Sequence, residues 1–175
     1  MIRNVFSMAA PLAAALALSA CVAAKAPAPV TVSDVQVDVD LSAIATRQAA
    51  HHWSTLEADI VGALSEEFVG MTSPQGYLVR VDVDELSLAA LSSPRLGADE
   101  ARLTGRVEMV DVMRDKVVRS FAVSASSNEA ALFLPPGGDI AKVSPSSHEF
   151  YEAVVRAFAH GTAETVRAGA TPPPA

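Results

Sequence analysis

The sequence predicts an α+β domain in which a mainly antiparallel four-stranded sheet carries two helices on one face. Four segments alternate apolar and polar residues with a period of two, and two longer segments repeat apolar residues at helical spacing. In chain order these segments give β-α-β-β-β-α. We expect the helices to cover one face of the sheet, while the other face stays in contact with solvent.

The four predicted strands are residues 31–40, 77–88, 102–113 and 117–124. In the second of them, Val83 and the valines before it lie on one face, whereas Leu86 and Leu88 change face, which predicts a bulge near residues 84–85. The last two strands form a hairpin across residues 114–116, although this turn lacks the usual glycine.

The first helix is expected to begin at Ser54, after residues 41–50, which fit either a loop or a short helix. Ser54 and Glu57 form the S-x-x-E pattern of a capping box, and Trp53 stands at the position of a hydrophobic staple. The apolar stripe of this helix, which ends by Gly70, is Leu56, Ile60, Leu64 and Phe68.

The last helix is expected to begin after Ser146, which forms a second S-x-x-E pattern with Glu149. Gly169 is a natural stop for this helix. Its predicted buried stripe is Phe150, Val154, Phe158 and Gly161.

Residues 126–145 are polar and rich in Pro and Gly, which predicts a long loop before the last helix. Loops of this length are uncommon unless they are functional or disordered. The loop contains the apolar triplet Leu132, Phe133 and Leu134, which is a candidate docking element. In the alternative interpretation the triplet folds back onto the sheet.

Residues 1–20 have the layout of a secretory signal peptide. Arg3 supplies a positive charge, and residues 5–20 are uncharged and rich in Ala and Leu. An uncleaved membrane span is the weaker alternative, because the run is shorter than the roughly 20 apolar residues of a span and contains Pro11.

Leu18, Ser19, Ala20 and Cys21 end this segment, and they resemble the lipobox of bacterial lipoproteins, which is Leu, a small residue, Ala or Gly, and then Cys. The resemblance covers the leader. It implies that the Cys21 thiol is alkylated by a diacylglyceryl group and that the signal peptide is cut before Cys21. A thiol suits this chemistry because it is strongly nucleophilic.

One alternative to this processing stays open, and so does the choice between the two membranes. Residues 24–26 read Ala-Lys-Ala, an A-x-A site for ordinary signal cleavage, which would release a soluble periplasmic protein. By resemblance to the sorting rules of Gram-negative bacteria, Val22 rather than Asp after Cys21 favours the periplasmic face of the outer membrane over the inner membrane. Cys21 is the single cysteine of the chain, which excludes a disulfide framework.

The expected organisation behind the signal peptide is a lipidated Cys with a stiff Pro/Ala stalk at residues 21–29, one domain at 30–169 and a disordered tail at 170–175. Removal of residues 1–20 leaves 12 basic residues against 20 acidic ones, a net charge of −8. This charge argues against nucleic-acid binding and against electrostatic lipid binding. Membrane attachment is therefore assigned to Cys21.

No set of residues predicts a catalytic, cofactor or metal site. Adjacent His51 and His52 point apart in a helix or a strand, and they lack the i, i+4 spacing of zinc ligands. His148 and His160 are twelve residues apart, which places them about 120° apart around a helix. The serines lack a G-x-S-x-G setting, and Asp82 with Asp84 fits a solvated strand face.

The element order together with the lipobox resembles small uncharacterised or transport-auxiliary lipoproteins of Gram-negative bacteria. This resemblance implies an accessory role in the cell envelope and nothing more specific. Our first hypothesis is a non-enzymatic lipoprotein that binds another envelope protein through the sheet face or the loop that contains Phe133. The alternative is a small-molecule or lipid carrier, which would need an apolar cavity between the sheet and the helices.

Overall fold

The computed structural model describes residues 29–39, 49–88, 102–140, 142–144 and 147–169. The predicted signal peptide, Cys21, nearly all of the predicted stalk and the predicted tail lie outside these ranges. The elements are β1 (Val32–Val39), α1 (Ala49–Glu67), β2 (Tyr77–Ser87), β3 (Arg102–Asp111), β4 (Lys116–Ser126), α2 (Ser127–Ala130), a 3-10 turn (Ala131–Phe133) and α3 (His148–Gly169). The α+β class is confirmed.

The sheet is mixed, and the predicted antiparallel pairing is confirmed for two of its three strand pairs. Its strand order is β1-β2-β3-β4, and β1 pairs with β2 in parallel, whereas the two other pairs are antiparallel. The prediction is therefore wrong for β1. Its cause lies in the connection, because α1 is a crossover between the two strands and a crossover returns the chain to the same end of the sheet.

Both long helices pack on one face of the sheet and form a single core with it. The predicted stripe of α1 is fully buried, and so are Phe150, Val154 and Phe158 of α3, while Gly161 is half-buried. Phe158 comes so close to β3 that a Cβ on Gly105 would lie 3.2 Å from its ring. These contacts confirm the predicted helical periodicity.

No long helix of the described residues covers the opposite face of the sheet, and this face is polar. Arg80, Asp82 and Arg106 are exposed there, and Arg80 pairs with Glu108 across β2 and β3 at 3.5 Å. The solvated face expected from the strand pattern is confirmed.

The predicted bulge in β2 is confirmed. The register of β2 on β3 shifts between Val83 and Glu85. The extra residue returns Leu86 and Leu88 to the core face, where both are buried.

The β3–β4 hairpin turns earlier than the sequence predicts. β3 ends at Asp111 rather than at residue 113, so that residues 112–115 form the turn. Asp115 has a φ of 48° and takes the left-handed conformation that a glycine often supplies. Val112 and Met113 consequently lie in the turn and not on a strand.

The start of α1 corrects a second prediction. The helix begins at Ala49, so Ser54 lies inside it and does not cap it. The S-x-x-E pattern is short, and Ala49 and Ala50 extend a helix readily. His51, His52 and Trp53 have helical backbone, and their side chains lie outside the described part of the structure.

The segment predicted as a long loop begins instead with α2 and the 3-10 turn. Ser126 caps α2 in a complete capping box, because its amide donates to Glu129 Oε2 (2.7 Å) while the Glu129 amide donates to Ser126 Oγ (3.5 Å). At α3 the amide of Phe150 donates to Ser147 Oγ (3.1 Å). The predicted cap, Ser146, lies outside the described residues.

Candidate functional site

A cleft of about 730 Å³ opens at the end of the sheet where the described chain begins. Because β1 and β2 are parallel, both strands start at this end, and the β3–β4 hairpin reaches it as well. The cleft is lined by the first described residues, the connection before β2, the hairpin and the end of α3, including Pro29, Gly76, Val112, Met113, Arg119 and Gly169.

The chain is held firmly where it passes this cleft. The amide of Val32 donates to the Met71 carbonyl (2.8 Å), and the amide of Tyr77 donates to the Thr31 carbonyl (2.8 Å). Gly76 lies so close that a Cβ there would be 2.6 Å from the Thr31 carbonyl. The start of β1 is therefore fixed between β2 and the connection that precedes it.

The rim of the cleft is apolar on the hairpin side. Met113 is 89% exposed and Val112 is 57% exposed, and Val117 and Val118 on β4 are exposed too. These four are the majority of the six large apolar side chains that are exposed in the described ranges. The remaining two are Val69, beside the connection that holds β1, and Leu132.

Charged side chains alternate with these apolar ones. Arg114 Nη1 lies 2.6 Å from Asp111 Oδ2, and this hydrogen bond from the guanidinium holds the pKa of the Asp111 carboxyl below its usual range. Lys116 and Arg119 are exposed on β4. The hairpin thus presents apolar side chains together with three basic residues and the acidic Asp111 and Asp115, on a chain whose net charge is −7.

The apolar triplet lies over the helices rather than on the sheet. Leu132 is 82% exposed, whereas Phe133 and Leu134 are half-buried and pack against the core. The Phe133 ring is 5.5 Å from the His160 ring of α3. The position of two of the three side chains is explained by packing, and docking through Leu132 stays a prediction.

His160 belongs to a polar cluster that joins the ends of the two long helices. Its Nδ1 lies 3.1 Å from Glu67 Oε1. Arg167 Nη2 donates to the Glu67 backbone carbonyl (2.6 Å), and the Arg167 guanidinium also bonds Glu164 (2.8 Å). Arg167 thereby satisfies a carbonyl at the end of α1 that has no partner within that helix.

A second polar contact joins the helices further along. The buried Tyr151 hydroxyl donates to Asp59 Oδ2 at 2.7 Å. Burial raises the pKa of the Tyr151 phenol, and the hydrogen bond to Asp59 raises that pKa further. A phenol held in its neutral form is a poor general base near neutral pH, so this geometry suits a cross-link between helices.

His148 and His160 do not form one site, as the sequence predicts. His148 lies 3.2 Å from Glu152 and stacks on Tyr151, whereas His160 contacts Glu67 and Phe133. Within the described ranges, no group of three His, Cys, Asp or Glu side chains could hold a metal ion. Among the described helices, none has the length and apolar character that a membrane crossing requires.

The space between the sheet and the helices is filled by core side chains in the described part of the structure. The 730 Å³ cleft lies at the end of the sheet, and the two smaller clefts at the helices have volumes of about 230 and 140 Å³. The cavity position expected of a carrier is therefore occupied by apolar side chains.

No protein-family model matches the sequence, and no curated protein matches it either. Solved structures with a similar fold include the PelC dodecamer of Paraburkholderia phytofirmans, at 16% identity over 75% of this chain and 84% of that one, with a TM-score of 0.41. A candidate lipoprotein of Caulobacter crescentus CB15 matches at 12% identity over 78% and 89% of the two chains (TM-score 0.45). A Xanthomonas campestris protein of family DUF330 matches at 16% identity over 82% and 86% (TM-score 0.39). These resemblances assign no function to the chain.

Proposed function

We propose that this protein is a non-catalytic accessory lipoprotein of the bacterial cell envelope, anchored through acyl chains on Cys21 at the periplasmic face of the outer membrane. The observation that carries the proposal is the sequence Leu18-Ser19-Ala20-Cys21 at the end of an uncharged leader. Two or more acyl chains on one residue give a stable membrane anchor, whereas one chain holds a protein only marginally.

The described fold lies close to Cys21 in the sequence. Pro29, the first described residue, stands eight positions after Cys21 in the sequence. A chain of that length spans at most about 29 Å. The end of the sheet that carries the cleft would therefore lie near the bilayer.

The polar contacts support a binding role rather than a catalytic one. Tyr151 bonds Asp59, and both His160 and Arg167 contact Glu67. Each pair joins α1 to α3, so these polar side chains serve the packing of the helices. Arg80, Asp82 and Arg106 are exposed on the opposite face of the sheet, and we propose this polar face as the surface that binds another envelope protein.

The anchor is tested by acyl labelling and membrane fractionation of the full-length chain and of the Cys21→Ser variant. We expect the wild type to incorporate labelled fatty acid and to sediment with membranes, and the variant to lose both properties. Ser19→Ala is the matched control, because it keeps a small residue in the lipobox. Labelling that survives Cys21→Ser would contradict the anchor, and a mature protein that starts after Ala26 would support soluble release.

The binding surface is tested by charge reversal in the lipidated protein. Arg106→Glu changes the polar sheet face, and Arg156→Glu changes an exposed arginine on α3. In cross-linked envelopes we expect Arg106→Glu to remove partner bands that Arg156→Glu retains. Partner bands that are the same in both variants would contradict the sheet face as the binding surface.

A further inference from the structure

We propose that the turn of the β3–β4 hairpin is a second membrane contact, which inserts Met113 and Val112 into the headgroup region of the leaflet that holds the acyl chains. The inference rests on the proposed anchor at Cys21. The proposal gives the cleft end of the sheet a phospholipid surface as its partner. The sequence analysis assigned membrane attachment to Cys21 alone.

Position is the first argument. Pro29, Val112 and Met113 line the same cleft, so the hairpin turn lies beside the point where the described chain begins. A tether of at most about 29 Å between Cys21 and Pro29 keeps this end of the domain close to the bilayer. Val112 and Met113 lie beside Pro29, where the tether joins the domain, so they are among the side chains closest to the lipid surface.

Exposure is the second argument. Met113 is 89% exposed and Val112 is 57% exposed, and four other large apolar side chains in the described ranges are exposed as well, namely Val69, Val117, Val118 and Leu132. Such side chains gain free energy when they leave water. Methionine is also unbranched and adaptable, which suits an irregular lipid surface.

Charge is the third argument. Lys116 and Arg119 form no ion pair within the described part of the chain, while Arg114 is paired with Asp111. Basic residues beside inserted apolar side chains are attracted to anionic phospholipid headgroups. Residues 111–119 hold three basic and two acidic side chains, so this segment has a net charge of +1 on a chain whose net charge is −7.

The small size of the patch favours a bilayer over a protein. A stable protein interface buries about 1,200–2,000 Å² in total, and a turn with two exposed apolar side chains does not supply its share. A bilayer contact needs far less, because the anchor already holds the hairpin at a high effective concentration beside the lipid.

The contact is tested by lipid quenching in the lipidated full-length protein in vesicles of phosphatidylethanolamine and phosphatidylglycerol. Cys21 is the single cysteine and is consumed by acylation, so a bimane probe on Met113→Cys labels one position. Leu132→Cys is the matched control, because Leu132 is 82% exposed and lies over the helices. We expect lipids with a nitroxide near the headgroup to quench the probe of Met113→Cys at least threefold more than that of Leu132→Cys.

Equal quenching at the two positions, or none at either, would overturn the proposal. So would photo-cross-linking of Met113→Cys to a protein and not to lipid in native envelopes.

The proposed anchor at Cys21 and the proposed lipid contact of the hairpin can be tested separately. If acyl labelling shows that Cys21 is not modified, a Cys21→Ser chain can be tethered to the same vesicles by an amino-terminal histidine tag and a nickel-chelating lipid. Stronger quenching of Met113→Cys in that setting supports the hairpin contact without the anchor. Equal quenching there overturns the contact as well.

Discussion

The helix layer, formed by α1 and α3, differs from the hairpin end, formed by the β3–β4 turn, in which side chains leave water. The helix layer buries polar side chains, whereas the hairpin end exposes apolar ones. Between α1 and α3, Tyr151 and Asp59 bring polar atoms into a partly buried contact and satisfy each other at 2.7 Å. At the hairpin, Val112 and Met113 bring apolar atoms into water and pack against little of the chain.

This contrast separates internal from external roles. A polar group removed from water needs a partner within the fold, and the helix layer provides one. An apolar side chain left in water contributes little to folding, so a surface beyond the fold is the place where it can be buried. Substitutions should therefore change stability in the helix layer and change binding at the hairpin.

The largest effect is expected from Phe158→Ala. Phe158 is fully buried between α3 and Gly105 of β3, and loss of its ring should lower the free energy of unfolding by about 3–5 kcal/mol. Met113→Ala, at an exposed position, should change it by less than about 0.5 kcal/mol. Chemical denaturation measures both, and equal effects would break the contrast between the two regions.

A second test concerns the start of β1, which lies at the same end of the sheet as the hairpin and packs closely against Gly76. Gly76→Ala places a Cβ against the Thr31 backbone, and we expect a loss of about 1–3 kcal/mol. Gly62→Ala, on α1 with no atom near its Cβ, should instead raise stability by about 0.5–1 kcal/mol. Denaturation curves that shift in the same direction for both variants would contradict the close approach of the backbone at Gly76.

Tyr151→Phe removes the hydroxyl that bonds Asp59, and it should lower the free energy of unfolding by about 1–2 kcal/mol at neutral pH. The pKa of Tyr151 is raised in the folded state, so the folded chain keeps a proton that the unfolded chain loses above about pH 10. Stability should therefore fall as pH rises above that value, by up to about 1.4 kcal/mol per pH unit.

The Tyr151→Phe variant should lack this part of the pH dependence. Asp59→Asn tests the same contact from the acceptor side, and it should also reduce the stability at neutral pH. If wild type and Tyr151→Phe lose stability in parallel between pH 10 and 11, the Tyr151 phenol ionises normally and the buried contact is not as described.

The smallest effect compares two arginines. Arg167→Gln removes a hydrogen bond to the Glu67 carbonyl at the end of α1, and we expect a loss of about 0.5–1.5 kcal/mol. Arg114→Gln breaks an ion pair in the exposed hairpin turn, and its effect on unfolding should be smaller, because solvent screens such pairs. Thermal midpoints that fall equally would show that the hairpin pair contributes to folding.

The sequence predicts the sheet well where alternation is long. Val79, Val81 and Val83 face the core as expected, and the change of face at Leu86 locates the bulge. The parallel pairing of β1 was missed because period-two alternation is the same in either direction. The β-α-β order does indicate the direction of β1 relative to β2, since a crossover helix between two neighbouring strands makes them parallel.

Capping patterns show why short motifs mislead. The S-x-x-E pattern at Ser54 predicted a helix start that the structure places at Ala49, whereas the same pattern at Ser126 caps α2 within a predicted loop. Two matching residues cannot distinguish a cap from chance without the packing of the helix that follows.

The cleft end could be predicted only in part. Val112 and Met113 beside a charged turn are visible in the sequence, but strand alternation assigned Met113 to β3. Its exposure follows from the early end of β3 at Asp111 and from the left-handed Asp115. The proximity of Pro29 depends on the parallel pairing, which alternation does not encode.

The parallel pairing of β1 also determines how the domain would respond to force. A pull on the chain at Pro29, along the axis of β1, shears the ladder of seven residue pairs that joins β1 to β2, so that its hydrogen bonds share the strain. A pull across the sheet would instead open the bonds one after another. If the proposed anchor at Cys21 carries such a load, all seven residue pairs between β1 and β2 would resist it together.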